Sequence, residues 1–446
     1  MQIESQQHRI PPTTNVQPEA RIQIETTLTT KRFVIGLFTF LFCFHLFLIT
    51  ALTVYLIVQG IIHYKAHHQR HFHPTKWYHP LLSSTVCAAI LSVAWQGITG
   101  CYPSKAFKAV FWLGPILTGA VALLHLLIGT SVNFTIGVAT LIFSLTMSLY
   151  GCWVNSRLVY AIRVLILSSS PPPTKPTFLI LLSILLGTLY SGFMVIGIGS
   201  ALASRTKLNS VYISIILLSL AWTMLVIRNT MLASMSRVKY MFVAYMVDLK
   251  TSLALCDTLK HLMGSICIGS FLVPILGTMW GSARCIDLLQ EGPNELCCSC
   301  AKCYTCCAST LVMYGNRWGF VHVGLHNKSF VQASKYAWDM FKKNGLESVI
   351  DSDLTSSFCF ISAVTVGAIS SLVSGIWALV VHKSYATELS LYAFIIGYLI
   401  SRIAMAWQQA CIAAYYVAYA ENPENMEFDS TIPDRIQRLQ RLQACI

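Results

Sequence analysis

The sequence predicts an all-α fold, a polytopic transmembrane bundle of about ten helices. Three observations carry this. Charged residues make up 11% of the 446 and hydrophobic residues 55%, whereas a soluble domain is about one-quarter charged. Mean hydropathy is +0.61, too apolar for a water-facing surface of this size. Long runs free of Lys, Arg, Asp and Glu recur along the chain, each near the roughly 20 residues that span a bilayer.

The first such run, within 33–62, is too long for a cleavable signal and reads as an uncleaved anchor. Before it, residues 1–32 are polar and proline-containing, and are expected to be a disordered cytoplasmic tail. A second span is expected at 79–99. The uncharged stretch 109–156 is long enough for two crossings, broken at the turn formers of 129–133, giving spans near 109–129 and 134–154. Pro171, Pro172 and Pro173 end any helical continuation. Further spans are expected at 177–203, 210–230, 262–283, 304–325, 354–381 and 387–419. Between them, 231–261 mixes apolar residues with Arg237, Lys239, Asp248, Lys250 and Asp257. It reads as an amphipathic interfacial helix or an extension of the preceding span. The transmembrane body is thus expected at 33–419, with a cytoplasmic C-terminal tail at 420–446.

The formal net charge of +13 would suggest nucleic acid in a soluble protein. Here Lys and Arg lie mostly in short loops between apolar runs, which the positive-inside rule explains without a nucleic-acid partner. Alternate loops at 105–108, 157–175, 237–239 and 328–343 carry basic residues, so both termini are expected in the cytoplasm.

Six histidines, His63, His67, His68, His71, His73 and His79, crowd the loop after the first span. They lack regular ligand spacing, so a solvated loop is favoured over weak metal binding or proton sensing. A cysteine-rich loop at 285–307 contains three C-x-x-C steps, but no second pair at zinc-finger distance. Acylation or plain structural thiols are expected there, rather than a metal site. Gly264-Ser265-Ile266-Cys267-Ile268-Gly269-Ser270 offers a small-x-x-x-small step for close helix packing. There is no P-loop, no G-x-S-x-G and no Rossmann glycine pattern, so neither a catalytic residue nor a cofactor is expected. A thiol enzyme would need a base beside the cysteines, where only Lys302 is close in sequence.

Ionisable residues inside spans are costly and therefore functional candidates. These are His45, His125, Arg228 and Arg402, with Asp351 and Asp353 at the entrance to the 354–381 span. His45 and His125 are candidates for proton coupling, and Arg402 for a structural or gating role.

The C-terminal part carries a family resemblance. Gly315-Asn316-Arg317-Trp318-Gly319 precedes Asn327-Lys328-Ser329-Phe330-Val331-Gln332-Ala333-Ser334-Lys335, and Ile350-Asp351-Ser352-Asp353 opens the next span. Phe394 to Ala406 and Tyr415 to Glu424 continue the pattern, as do the Gly264–Ser270 segment and Trp222 with Ile227-Arg228-Asn229. Together these resemble the choline transporter-like family, in its plant-type branch. Two departures stand out. Trp407-Gln408-Gln409-Ala410-Cys411 stands where the family reads LPHAC, and His326 stands where a Tyr-Gly step is common.

The resemblance implies about ten helices, both ends cytoplasmic, and transport of choline or a related amine cation such as ethanolamine; the motifs themselves point to no metal and no cofactor. Plasma membrane is the expected location, with Golgi or endosomal membrane as the alternative. A quaternary ammonium is recognised by aromatic faces, which makes Trp153, Trp222 and Tyr398 the candidate substrate-binding residues. The alternative is a membrane scaffold or lipid-organising protein acting on choline indirectly.

Overall fold

The computed structural model describes residues 18–66, 74–169, 176–203, 208–289, 295–351, 353–381, 383–424 and 428–444. Among these there is no strand. The helices are α1 (Pro18–Ala66), α2 (Pro74–Cys101), α3 (Pro103–Ile128), α4 (Ser131–Val154), α5 (Leu158–Ser168) and α6 (Thr177–Ala203). There follow α7 (Asn209–Tyr245), α8 (Thr251–Asp257), α9 (Met263–Leu289), α10 (Glu295–Val312), α11 (Gly319–His326) and α12 (Phe330–Lys343). The chain closes with α13 (Glu347–Asp351), α14 (Thr355–Val381), α15 (Ala386–Ala404), α16 (Ala406–Glu421) and α17 (Thr431–Ala444). Nine segments among the described residues are long and apolar enough to cross a membrane, so the chain is a multi-pass membrane protein.

Local chemistry sets the breaks. Gly129 takes the left-handed conformation (φ 79°) that closes α3. Thr130 then caps α4, its hydroxyl accepting the Asn133 N–H at 3.3 Å. Asp353 does similar work before α14, accepting the Thr355 N–H at 3.1 Å and its hydroxyl at 2.7 Å.

Three expectations are sharpened or revised. Of the two readings of 231–261, the extension of the preceding span holds as far as Tyr245, where the unbroken α7 ends; Met246 (φ 55°) then turns the chain into α8. A π-helical turn, Thr258–Leu262, joins α8 to α9. The 304–325 span is broken in two. α10 runs antiparallel along α9, with Tyr304 bonded to Ser282 at 2.8 Å, and ends at Val312. Asn316 then starts α11, its side-chain oxygen accepting the Gly319 N–H at 3.1 Å while its amide donates to the Ser334 carbonyl at 2.8 Å. Finally, the 387–419 span divides at Met405 into α15 and α16.

Two further segments differ from expectation. The cysteine-rich stretch is helical from Glu295, and Cys303, Cys306 and Cys307 are exposed thiols. α1 begins at Pro18, inside the stretch expected to be a tail. The histidines at 67, 68, 71 and 73 lie outside the described residues.

Contacts sort the helix ends into two sets. At one end Tyr240 donates to Glu421, Asn344 donates to the Ala420 carbonyl at 2.6 Å, and Arg317 pairs with Asp353 at 3.1 Å. Tyr160 meets Tyr416 there at 3.1 Å. At the other end Thr387 donates to Asn133 at 2.5 Å, and Tyr78 meets Ser200 at 3.2 Å. The first end collects Lys105, Lys108, Arg157, Arg163, Lys250, Lys342, Lys343, Arg435 and Arg438. The same end also holds carboxylates, among them Asp257, Asp353, Glu421 and Asp434, so it gathers charge of both signs with Lys and Arg in excess. α10 and α11 together return the chain from the opposite end to this one.

Small residues let the central helices close up. A methyl group on Gly397 of α15 would sit 2.4 Å from the Ser370 hydroxyl and 3.2 Å from the Gly367 Cα of α14. On Gly264 it would strike the Ile35 carbonyl of α1 at 2.1 Å. Gly269, the far end of the sequence's small-residue step, instead receives the rings of Phe320 and Phe330.

Candidate functional site

The close pairing of α14 and α15 positions an aromatic cavity of about 440 Å³ between α3, α4, α14 and α15. Phe394 and Tyr398 lie four residues apart on α15, so both face the same way. Their rings are 6.4 Å apart and nearly parallel, and Phe360 of α14 meets Tyr398 edge-on at 6.1 Å. Phe143 of α4 adds a fourth aromatic wall, with Thr118, Thr140 and Ser371 as hydroxyl neighbours. No lining residue is a carboxylate. His125 of α3 also lines the cavity; it is fully buried and neither ring nitrogen has a hydrogen-bond partner.

Next to this cavity lies a buried polar core. Arg228 of α7 donates to Asn229 at 2.9 Å and to Gln409 of α16, and Asn229 in turn donates to Ser270 of α9 at 2.9 Å. Both guanidinium acceptors are neutral amides. Arg402 lies one turn beyond Tyr398 on α15, close enough to Arg228 for the two positive charges to repel, and Tyr398 also interacts electrostatically with Arg228. Arg402 and Tyr398 share one face of α15, and neither arginine lines the cavity of Tyr398.

A second cavity, about 650 Å³, lies between α2, α5, α6 and α16. Gln408 donates to Gln96 at its wall at 2.6 Å, and Trp407 is its single aromatic.

The expected residues are not gathered in one place. Tyr398 and His125 share the aromatic cavity. Trp222 packs against Phe42 (5.4 Å) and His45 (4.8 Å), away from it. Trp153 is 63% exposed and stacks with the Arg157 guanidinium at 4.5 Å. Neither tryptophan lines the cavity of Tyr398. Phe143, Phe360 and Phe394 were missed by sequence reasoning. The four-residue step from Phe394 to Tyr398 was the one local signal; Phe143 and Phe360 come from distant helices.

The profile of the family described as "Plasma-membrane choline transporter" matches residues 121–424. Among curated relatives, Protein PNS1 of Mycosarcoma maydis is 25% identical over 181 residues, covering 37% of this chain and 34% of that protein. Protein PNS1 of Debaryomyces hansenii is 22% identical over 193 residues, 41% of this chain and 37% of its own length. The chain thus spans about a third of the length of these relatives. The matched stretch takes in the arginine core and every lining residue of the aromatic cavity except Thr118, and the chain belongs to the plasma-membrane choline transporter family.

Proposed function

We propose that this chain carries choline or a related amine cation such as ethanolamine across the membrane, by alternating access, with the cavity at Tyr398 as its cation site. The observation that carries this reading is the cavity itself: four aromatic rings and three hydroxyls, without a carboxylate. Such a lining attracts a quaternary ammonium through the negative faces of its rings. It does not demand an acidic partner that a permanent cation could not neutralise by proton transfer.

Arg402 and Arg228 give the path a positive barrier on one side of the site. A cation seated at Tyr398 is repelled by that barrier until the helices that carry it move. This makes Arg402 a gating residue rather than a binding one. His125, buried and without a partner, is the candidate for proton coupling at the same cavity. The basic end of the bundle faces the cytoplasm in this reading, as the positive-inside rule expects, and the plasma membrane is the expected location.

The test is uptake of labelled choline into proteoliposomes of the purified protein, with unlabelled choline and ethanolamine as competitors. Saturable, competed uptake is expected. Folded protein that gives no uptake above empty liposomes in either orientation would sink the transport reading and favour the scaffold alternative.

A further inference from the structure

His322 and His326 lie one turn apart on α11, so both imidazoles project from the same face. Their rings stack at 5.6 Å. Across from them stands Glu421, the last residue of α16, some 95 positions later in the chain. Its Oε1 is 3.9 Å from His322 Nδ1 and 3.7 Å from His326 Nε2. The ligand atoms of all three residues lie within 4.8 Å of one another.

These separations are too long for hydrogen bonds and close to those a metal ion imposes. Zinc-type bonds of roughly 2.0–2.2 Å in tetrahedral geometry put neighbouring ligand atoms about 3.4 Å apart. His322 is fully buried, yet neither ring nitrogen has a hydrogen-bond partner. Burying an imidazole this way is costly unless something occupies the space in front of it. Glu421 is already oriented: Tyr240 of α7 donates to its other oxygen, Oε2. That leaves Oε1 for the histidines' side, the outer-shell arrangement by which metal-binding carboxylates are held. Tyr336 packs edge-on against both imidazoles, at 5.0 and 6.4 Å. The nearby cation is Lys328, whose ammonium sits over the Tyr336 ring at 3.9 Å.

We propose that His322, His326 and Glu421 form a binding site for a divalent transition-metal ion of the zinc class, with a fourth position open to water. Two imidazoles and one carboxylate are a ligand set suited to zinc rather than to magnesium or calcium, which take oxygen ligands. His326 is 40% exposed on its side chain, which gives the ion a route in from solvent. A bound ion would tie α11 to α16 and, through Tyr240, to α7, at the basic end of the bundle. The site is separate from the aromatic cavity and does not depend on what that cavity carries.

The test uses the full chain with Cys256, Cys285 and the cysteines from 297 to 307 changed to serine and the loop histidines His67, His68, His71 and His73 changed to glutamine, which removes the competing ligands those segments offer. After stripping with EDTA, zinc is titrated and bound metal measured per chain; cobalt(II) absorption then reports geometry. One ion per chain is expected, with a tetrahedral cobalt spectrum free of sulfur charge-transfer bands. His326→Ala and Glu421→Gln should each weaken binding by at least about 100-fold, the upper end of what loss of an outer-shell partner costs. Because His326 is partly exposed, His326→Ala is expected to fold, and His326→Phe provides a variant that keeps the ring packing. Absence of stoichiometric zinc in the parent would overturn the site, as would unchanged affinity in a folded His326 variant.

Discussion

Arg228 on α7 donates to Gln409 on α16, tying a buried cation to a neutral amide on a helix 181 residues further along the chain. Asn229 extends the link to Ser270 on α9 at 2.9 Å. Three helices distant in sequence therefore share one polar knot. Its stability rests on the acceptor oxygen, because a guanidinium buried without acceptors is expensive.

Replacing Gln409 by leucine should therefore destabilise the fold by about 1.5–3 kcal/mol, the worth of a hydrogen bond to a charged group. Gln409→His, which supplies another acceptor, should cost clearly less. The thermal midpoint of the purified protein in detergent, followed by size-exclusion chromatography, checks the order. Equal losses for both would show that the acceptor is not what matters.

Tyr398 tests the cation site. Tyr398→Phe keeps the ring face and should leave the KM for choline nearly unchanged. Tyr398→Ala removes a contact worth about 0.5–2 kcal/mol, raising KM roughly 2- to 30-fold. Trp153→Ala, on an exposed surface 63% accessible, should leave KM unaffected. A KM effect at Trp153 larger than at Tyr398 would move the site elsewhere.

Arg402 should separate binding from turnover. If its charge forms the barrier beside the site, Arg402→Lys keeps transport and Arg402→Ala changes the maximal rate more than KM. A rise in KM without a rate effect in Arg402→Ala would argue for a binding role instead.

The glycine contact of α14 and α15 should be intolerant of bulk. Gly397→Leu would drive a side chain into Ser370 and Gly367 and should cost at least about 1–3 kcal/mol through overpacking. Because the same contact seats Phe394 and Tyr398, choline affinity should fall as well. Gly97→Ala, with nothing within 4 Å of the added methyl, is the control: inside α2 it should leave stability equal or slightly raised and choline affinity unchanged.

Asp353 holds the start of α14 and pairs with Arg317 at 3.1 Å. Its side chain is 1% exposed. Asp353→Ala should lower stability by about 2 kcal/mol, combining a lost cap with a guanidinium left short of one partner. Asp353→Asn keeps an acceptor for the Thr355 N–H and should fall between the two. A thermal midpoint for Asp353→Ala equal to the parent's would contradict this assignment.

The amino-acid sequence by itself determined the class of the protein and most of its crossings. That legibility is physical: lipid requires long apolar runs with satisfied backbones, so spans such as Phe33–Ile62 and Thr177–Leu202 are written locally. It also carried the family, through motifs from Trp222 to Glu424. The breaks were harder to read. The division of 304–325 depends on Asn316 bonding Gly319 and Ser334, and the second of those partners lies on another helix.

Only the tertiary structure decided which aromatics meet. Trp153 and Trp222 are as apolar as Tyr398 in sequence, yet packing sends them to different faces. Phe360 and Phe143 reach the cavity from helices over 200 residues apart. The same holds for His322, His326 and Glu421: the histidine spacing is visible on one helix, but the carboxylate arrives from another. Helical periodicity fixes which residues share one face of one helix, whereas a site between helices is fixed by how they cross, and that geometry emerges only when small residues such as Gly367 and Gly397 let them close.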